Sequence, residues 1–109
     1  MNVRFSDHAI RCRATSAELQ QLLTGRAVEL EICLPRDRRF LVNVRPSALE
    51  KWQLESDPTG IWVSIPRSQL EALAQTLPSK EGIEHAFETV RGSVVVSFEV
   101  DLKKSQAKA

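Results

Sequence analysis

Cysteine, histidine and charge imbalance are all scarce in this chain, and each scarcity closes off a class of function. There are two cysteines, Cys12 and Cys33, and two histidines, His8 and His85. Neither cysteine belongs to a CxxC pair or lies near a histidine cluster, so zinc-ligand spacing is missing. Both occupy apolar, strand-like stretches and read as reduced, buried thiols of a cytosolic protein. His8 falls in a turn and His85 beside Phe87 in a strand, where packing explains each better than catalysis does. Lys and Arg number 15 against 14 Asp and Glu, a formal net charge of +1. Wholesale binding of nucleic acid needs a strongly basic face, and this balance argues against it. There is no GxxxxGK[ST], no GxGxxG and no GxSxG, so the common phosphate cradles and the hydrolase elbow are missing. No apolar run approaches the roughly 20 residues of a membrane-spanning helix. The opening Met1–Asp7 has no apolar signal core. The expectation is a cytoplasmic protein with no membrane association and no cofactor.

What remains is ordinary globular composition, 42% hydrophobic and 27% charged over 109 residues. That suits a single domain, read here as residues 1–102, followed by a flexible basic tail at 103–109.

The clearest order is period-2 alternation, the mark of strands with one face on a core. Ile10, Cys12 and Ala14 oppose Arg11 and Arg13. Val28, Leu30 and Ile32 oppose Glu29 and Glu31. Phe40, Val42 and Val44 oppose Arg39, Leu41, Asn43 and Arg45. Ile61, Val63 and Ile65 oppose Trp62 and Ser64. Val94, Val96, Phe98 and Val100 oppose Ser93, Val95, Ser97 and Glu99. Pro35–Arg38 and Ser56–Gly60 read as hairpin turns, and Arg91-Gly92 as a tight turn with Gly supplying a positive φ. Trp52 alternates with Leu54 toward the core, whereas Trp62 projects onto the polar face.

Two segments change to helical period. Thr15-Ser16-Ala17-Glu18 is a capping box. Leu19, Leu22 and Leu23 follow at i, i+3, i+4, and Gly25 stops the helix. Pro66 opens the second helix in its first turn, Leu70, Leu73, Ala74 and Leu77 form its stripe, and Pro78 ends it.

These elements repeat. Aligning Leu19 with Leu70 sets an offset of 51 (70 minus 19), which also pairs Leu22 with Leu73, Ile10 with Ile61, Cys12 with Val63 and Ala14 with Ile65. Ser6-Asp7 matches Ser56-Asp57 one residue off that register. After the helices the offset grows by about three or four. The fold expected is therefore α+β: a duplicated ββαββ unit forming a twisted, mainly antiparallel sheet or a small eight-stranded barrel, with two helices.

Candidate binding residues lie on the polar faces. Arg11, Arg13, Arg39 and Arg45 are not explained by core formation, and Trp62 offers an aromatic platform, a dimer contact or a ring capped by an arginine. The bland account of the arginines is a face laced with salt bridges, for instance to Glu29 and Glu31. If the polar face turned inward, these arginines and Lys51 would line a tunnel suited to phosphate oxygens, and Glu29 and Glu31 could hold a divalent metal.

The duplicated element order resembles the CYTH-like triphosphate tunnel phosphatases, which implies polyphosphate binding or metal-dependent hydrolysis. That family opens with an ExExK strand. The corresponding strand here is Ile10-Arg11-Cys12-Arg13-Ala14, and the ExE of Glu29-Leu30-Glu31 leads to Cys33 where lysine belongs. A closer resemblance rests on Ile10, Arg11, Arg13, Thr15 and Glu18, the pattern I-R-x-R-x-T-x-x-E, with Trp62-Val63-Ser64-Ile65-Pro66 also fitting. It is to a family of small uncharacterised bacterial proteins, a domain of unknown function. It implies a bacterial cytosolic protein of about this length and carries no activity. The function expected is a non-enzymatic ligand-binding or protein-interaction module, with a protein partner or a homodimer. The alternative is a phosphate- or polyphosphate-binding protein or triphosphate hydrolase acting on a small anionic ligand.

Overall fold

Alternating segments become strands, and the two segments of helical period become helices. The computed structural model describes residues 1–78 and 81–101. Along the chain run β1 (Asn2–Ser6), β2 (Ala9–Ala14), α1 (Ser16–Leu23), β3 (Val28–Leu34), β4 (Arg38–Ser47), β5 (Gln53–Asp57), β6 (Gly60–Pro66), α2 (Arg67–Thr76), β7 (Ile83–Thr89) and β8 (Gly92–Val100). The expected tail at 103–109 lies outside the described residues.

Local chemistry sets the boundaries of α1. The Glu18 backbone N–H donates to Thr15 Oγ1 at 3.1 Å, and the Thr15 N–H donates to Glu18 Oε1 at 2.9 Å. At the other end Gly25 takes a φ of 96°. Its N–H reaches the Leu22 carbonyl and that of Arg26 the Gln21 carbonyl, closing a Schellman motif. In α2, Pro66 stands at the N-cap and ends β6, one place ahead of the first turn where the sequence had suggested it. The last tight turn also shifts by one: Thr89 faces Gly92, so Val90 and Arg91 form it and Gly92 opens β8 with a φ of 112°.

The strands form two four-stranded sheets, β1-β2-β8-β7 and β3-β4-β6-β5. Hairpin neighbours are antiparallel, while the central pairs, β2 with β8 and β4 with β6, are parallel. This corrects the expectation of a single sheet or a barrel: among the described residues there are two mixed sheets, with four antiparallel pairings and two parallel ones, and no closed barrel. The physical reason lies in the helices. Each carries the chain from one sheet to the other, so each half gives its first hairpin to one sheet and its second to the other.

Pairing registers make the duplication concrete. Val3 faces Cys12 as Leu54 faces Val63. Cys12 lies beside Phe98 as Val63 lies beside Val44, which makes the offset from β4 to β8 54 (98 minus 44). Val28 faces Val44 as Ile83 faces Phe98, an offset of 55 (83 minus 28). The match of Ser6-Asp7 with Ser56-Asp57 does not hold, because Ser6 faces Ala9 and Asp57 faces Gly60, which restores 51.

One core receives apolar residues from both sheets and both helices, while Phe5, Ile32 and Leu34 at the strand ends stay exposed. Ile10, Cys12, Ala14, Val96, Phe98 and Val100 reach it from the first sheet, and Val28, Val44, Val63 and Ile65 from the second. Leu19, Leu22, Leu70 and Leu73 complete it from the helices. The arginine-bearing faces therefore point outward. Trp52 is 4% exposed, as its alternation with Leu54 implied. Its Nε1–H donates to Gln69 Oε1 at 3.0 Å, and its ring stacks on His85 with centroids 5.9 Å apart. His85 in turn meets Phe87 edge-on. Cys12 is buried, which pushes its thiol up to about 11. Cys33 is exposed, against expectation. It sits near the end of β3 on the face of Glu29 and Glu31, where nothing covers an alternating strand. Among the described residues no helix is long and apolar enough to cross a membrane.

Two outcomes follow from this packing. A Cβ built on Gly60 would lie 2.3 Å from the Leu41 carbonyl oxygen. Ala9 holds the equivalent place beside Val95, so Gly60 marks a tighter approach of β6 to β4. Gly60→Ala should destabilise the fold by about 1–3 kcal/mol in urea titration, the usual cost of overpacking. The second outcome concerns Glu18, whose Oε2 accepts from the terminal ammonium at 2.8 Å. Burial would raise its pKa, but the hydrogen bonds from that ammonium and from Thr15 outweigh it and hold the carboxyl below its ordinary value. A depressed folded-state pKa gives stability that is present above the unfolded pKa and lost as pH falls through the folded one. Urea midpoints should therefore drop on acidification through that window, and Glu18→Gln should shrink the drop.

Candidate functional site

The outward face of the first sheet is built by alternation in β1, β2 and β8. Odd positions of β2 present Arg11 and Arg13, because the even positions fill the core. Hairpin register sets Arg4 directly opposite Arg11. Parallel pairing sets Arg13 beside Glu99 and Arg11 beside Ser97. Arg13 Nη2 approaches Glu99 Oε1 at 3.0 Å and its Nε–H donates to the same oxygen at 3.1 Å, while Arg11 Nη2 stands 3.7 Å away. One carboxylate thus serves two guanidiniums. Arg4 makes no ion pair among the described residues. Like charges directly opposite across strands are destabilising by a few tenths of a kcal/mol or more.

The space around this cluster is uneven. The cleft among Asn2, Arg4, Arg11, Arg13 and Glu99 holds only about 10 Å³. Toward β7 the face opens into a depression of about 540 Å³ against Arg11, Gly82, Glu84, Ser97 and Glu99.

The second sheet presents a different face. Register aligns Glu29, Asn43, Trp62 and Glu55 in one row across β3, β4, β6 and β5. Asn43 is 6% exposed, although it points away from the core. Its Nδ2 donates to Glu29 Oε2 at 2.6 Å, leaving its Oδ1 buried without a partner, and the Arg45 Nε is buried without one too. Arg39 Nη1 lies 3.5 Å from Glu31 Oε2. Among the described residues no guanidinium stacks on Trp62.

The five sequence-derived candidates therefore fall into two sets. Arg11 and Arg13 share the first sheet, while Arg39, Arg45 and Trp62 share the second, so they do not converge. Lys51 is exposed in the link between β4 and β5. Glu29 and Glu31 sit two apart on β3, each engaged by a neighbour, and among the described residues no three His, Cys, Asp or Glu side chains are grouped to hold a metal.

Sequence reasoning missed two members of the first cluster. Arg4 was within reach, because a turn at Asp7-His8 pairs positions summing to 15 and so puts it opposite Arg11. Glu99 was not, because nothing local announces a parallel partner 86 residues along the chain.

No curated protein and no solved structure gives a significant match to this chain. Family comparison gives one, a family of unknown function (DUF7009), matched over residues 1–107. The match spans the Ile10–Glu18 pattern, the Trp62–Pro66 segment and both halves of the duplication, and the chain belongs to that family.

Proposed function

We propose that this protein is a small non-enzymatic interaction module that takes an acidic protein surface on the outward face of its first sheet. The observation that carries this reading is Arg4 directly opposite Arg11, with Arg13 alongside and one carboxylate, Glu99, near the three. A face selected for stability alone gains nothing from opposed guanidiniums. Acidic side chains of a partner would relieve that opposition, and guanidinium forks suit carboxylates.

A phosphate-bearing ligand is the second reading, favoured by the same three guanidiniums. Two features weigh against it. The cleft of about 10 Å³ has room for about one water, not for a phosphate group. Glu99 also stands where a phosphate would need positive charge.

Fluorescence anisotropy with a labelled oligoglutamate peptide tests the proposal. The peptide should bind at low salt, and the Arg4→Gln/Arg11→Gln double variant should weaken binding about tenfold or more. That corresponds to about 1.4 kcal/mol, the scale of a charge-assisted contact. Unchanged affinity in that variant would remove the assignment. Saturable stabilisation by tripolyphosphate, lost in the same variant, would favour the second reading instead.

A further inference from the structure

Resting on that reading, we propose that the acidic surface is the outward face of the second sheet in another copy of this chain, so that copies associate head to tail. The argument starts from the duplication. At the offset of 51, Arg4 on β1 is equivalent to Glu55 on β5, and Arg11 to Trp62. Equivalent edge positions thus carry opposite charges. Neither Arg4 nor Glu55 makes an ion pair among the described residues, so each face presents an unneutralised charge that the other can meet.

The charges next to these two residues agree in sign along one side of each face. Around Glu55 the second sheet carries Glu29, Glu31 and Asp57 against Arg39 and Arg45. Beside Arg4 the first carries Arg11 and Arg13 on β2, while the acidic Glu99 lies on β8 and Glu84 and Glu88 on β7, farther across the sheet. Laid face to face with β1 over β5 and β2 over β6, Arg4 meets Glu55 and Arg11 meets the ring of Trp62. A guanidinium over an indole is the favoured cation–π geometry. Farther along the same row Glu84 would meet Glu29, and Glu88 shares the β7 edge, so the contact is confined to β1–β2 over β5–β6.

Because the two faces differ, the contact is heterologous. Such a contact builds open chains or rings, not a closed two-fold dimer. Because it is charge-driven and exposed, salt must weaken it.

Sedimentation velocity of the intact protein across a concentration series is the test. At about 10 mM salt the weight-average mass should climb with concentration beyond that of a dimer. At about 1 M salt, where the screening length falls from about 30 Å to about 3 Å, it should return to the monomer. Arg4→Glu alone and Glu55→Arg alone should each be monomeric. An equimolar mixture of the two should associate again, because each then offers the other a complementary face. Both sites are exposed, and matching circular dichroism would exclude misfolding. A protein monomeric at every concentration in low salt would overturn the proposal, as would single variants that associate like the parent or a mixture that stays monomeric. If oligoglutamate still binds in those cases, the acidic-surface reading survives and only the identity of the partner falls.

Discussion

The two parallel pairings, β2 with β8 and β4 with β6, are the constraint on which the rest of this structure depends. Both join the first half of the chain to the second. Without them each half would own two isolated hairpins and a short helix, and an isolated hairpin is marginal in water. With them each hairpin becomes half of a four-stranded sheet, and the apolar faces of both sheets close on one core with the four helix leucines. Such contacts are far apart in sequence, so closing them costs more chain entropy than local pairing and slows folding. The halves are therefore parts of one cooperative unit. The duplication is one of pattern, and it does not mark two domains.

Inside that unit the pseudo-symmetry is kept, and outside it is broken. Leu19 and Leu70, Leu22 and Leu73, Cys12 and Val63, Phe98 and Val44 occupy equivalent places and all are buried. Interiors pack at near-crystalline density, so equivalent positions stay apolar even where volume differs, as between Phe98 and Val44. The outward equivalents share little: Arg4 with Glu55, Arg11 with Trp62, Glu99 with Arg45, Ser97 with Asn43. Exposed positions tolerate change within about half a kcal/mol, so the outer faces were free to part company. Opposite charge at equivalent sites is one product of that freedom.

How much of this was legible in the sequence depends on the range of the interaction. The capping box at Thr15 and Glu18, the stop at Gly25, the strand alternations and the offsets of 51, 54 and 55 are local or pattern-based, and the chain spells them out. The partner of Arg13 is not, because parallel pairing leaves no turn between the strands it joins. Alternation told the two faces of β3 apart and set Cys33 with Glu29 and Glu31, yet it could not tell that Ile32 and Leu34, on the inner face, lie beyond the reach of the core. Trp52 was legible as core, but its stacking on His85 was not, since that contact joins the link ahead of β5 to β7 in the other sheet. The same blindness produced the barrel: eight alternating strands are compatible with closure, and only the crossings of α1 and α2 between sheets exclude it.

The energetics of the outer faces separate a stabilising surface from a working one. An exposed ion pair such as Arg13 with Glu99 contributes about 0–1 kcal/mol. Opposed guanidiniums at Arg4 and Arg11 take some of that back. On the other sheet Glu55 makes no ion pair among the described residues, and Asn43 donates to Glu29. Neither face is what selection for stability alone would leave, while the core they flank is filled by side chains with almost no exposure. A fold this well satisfied inside has no structural need for uncompensated charge outside. The unneutralised charges of Arg4 and Glu55 lie on the two surfaces that the fold itself does not use, and opposite charge on another surface is what would meet them.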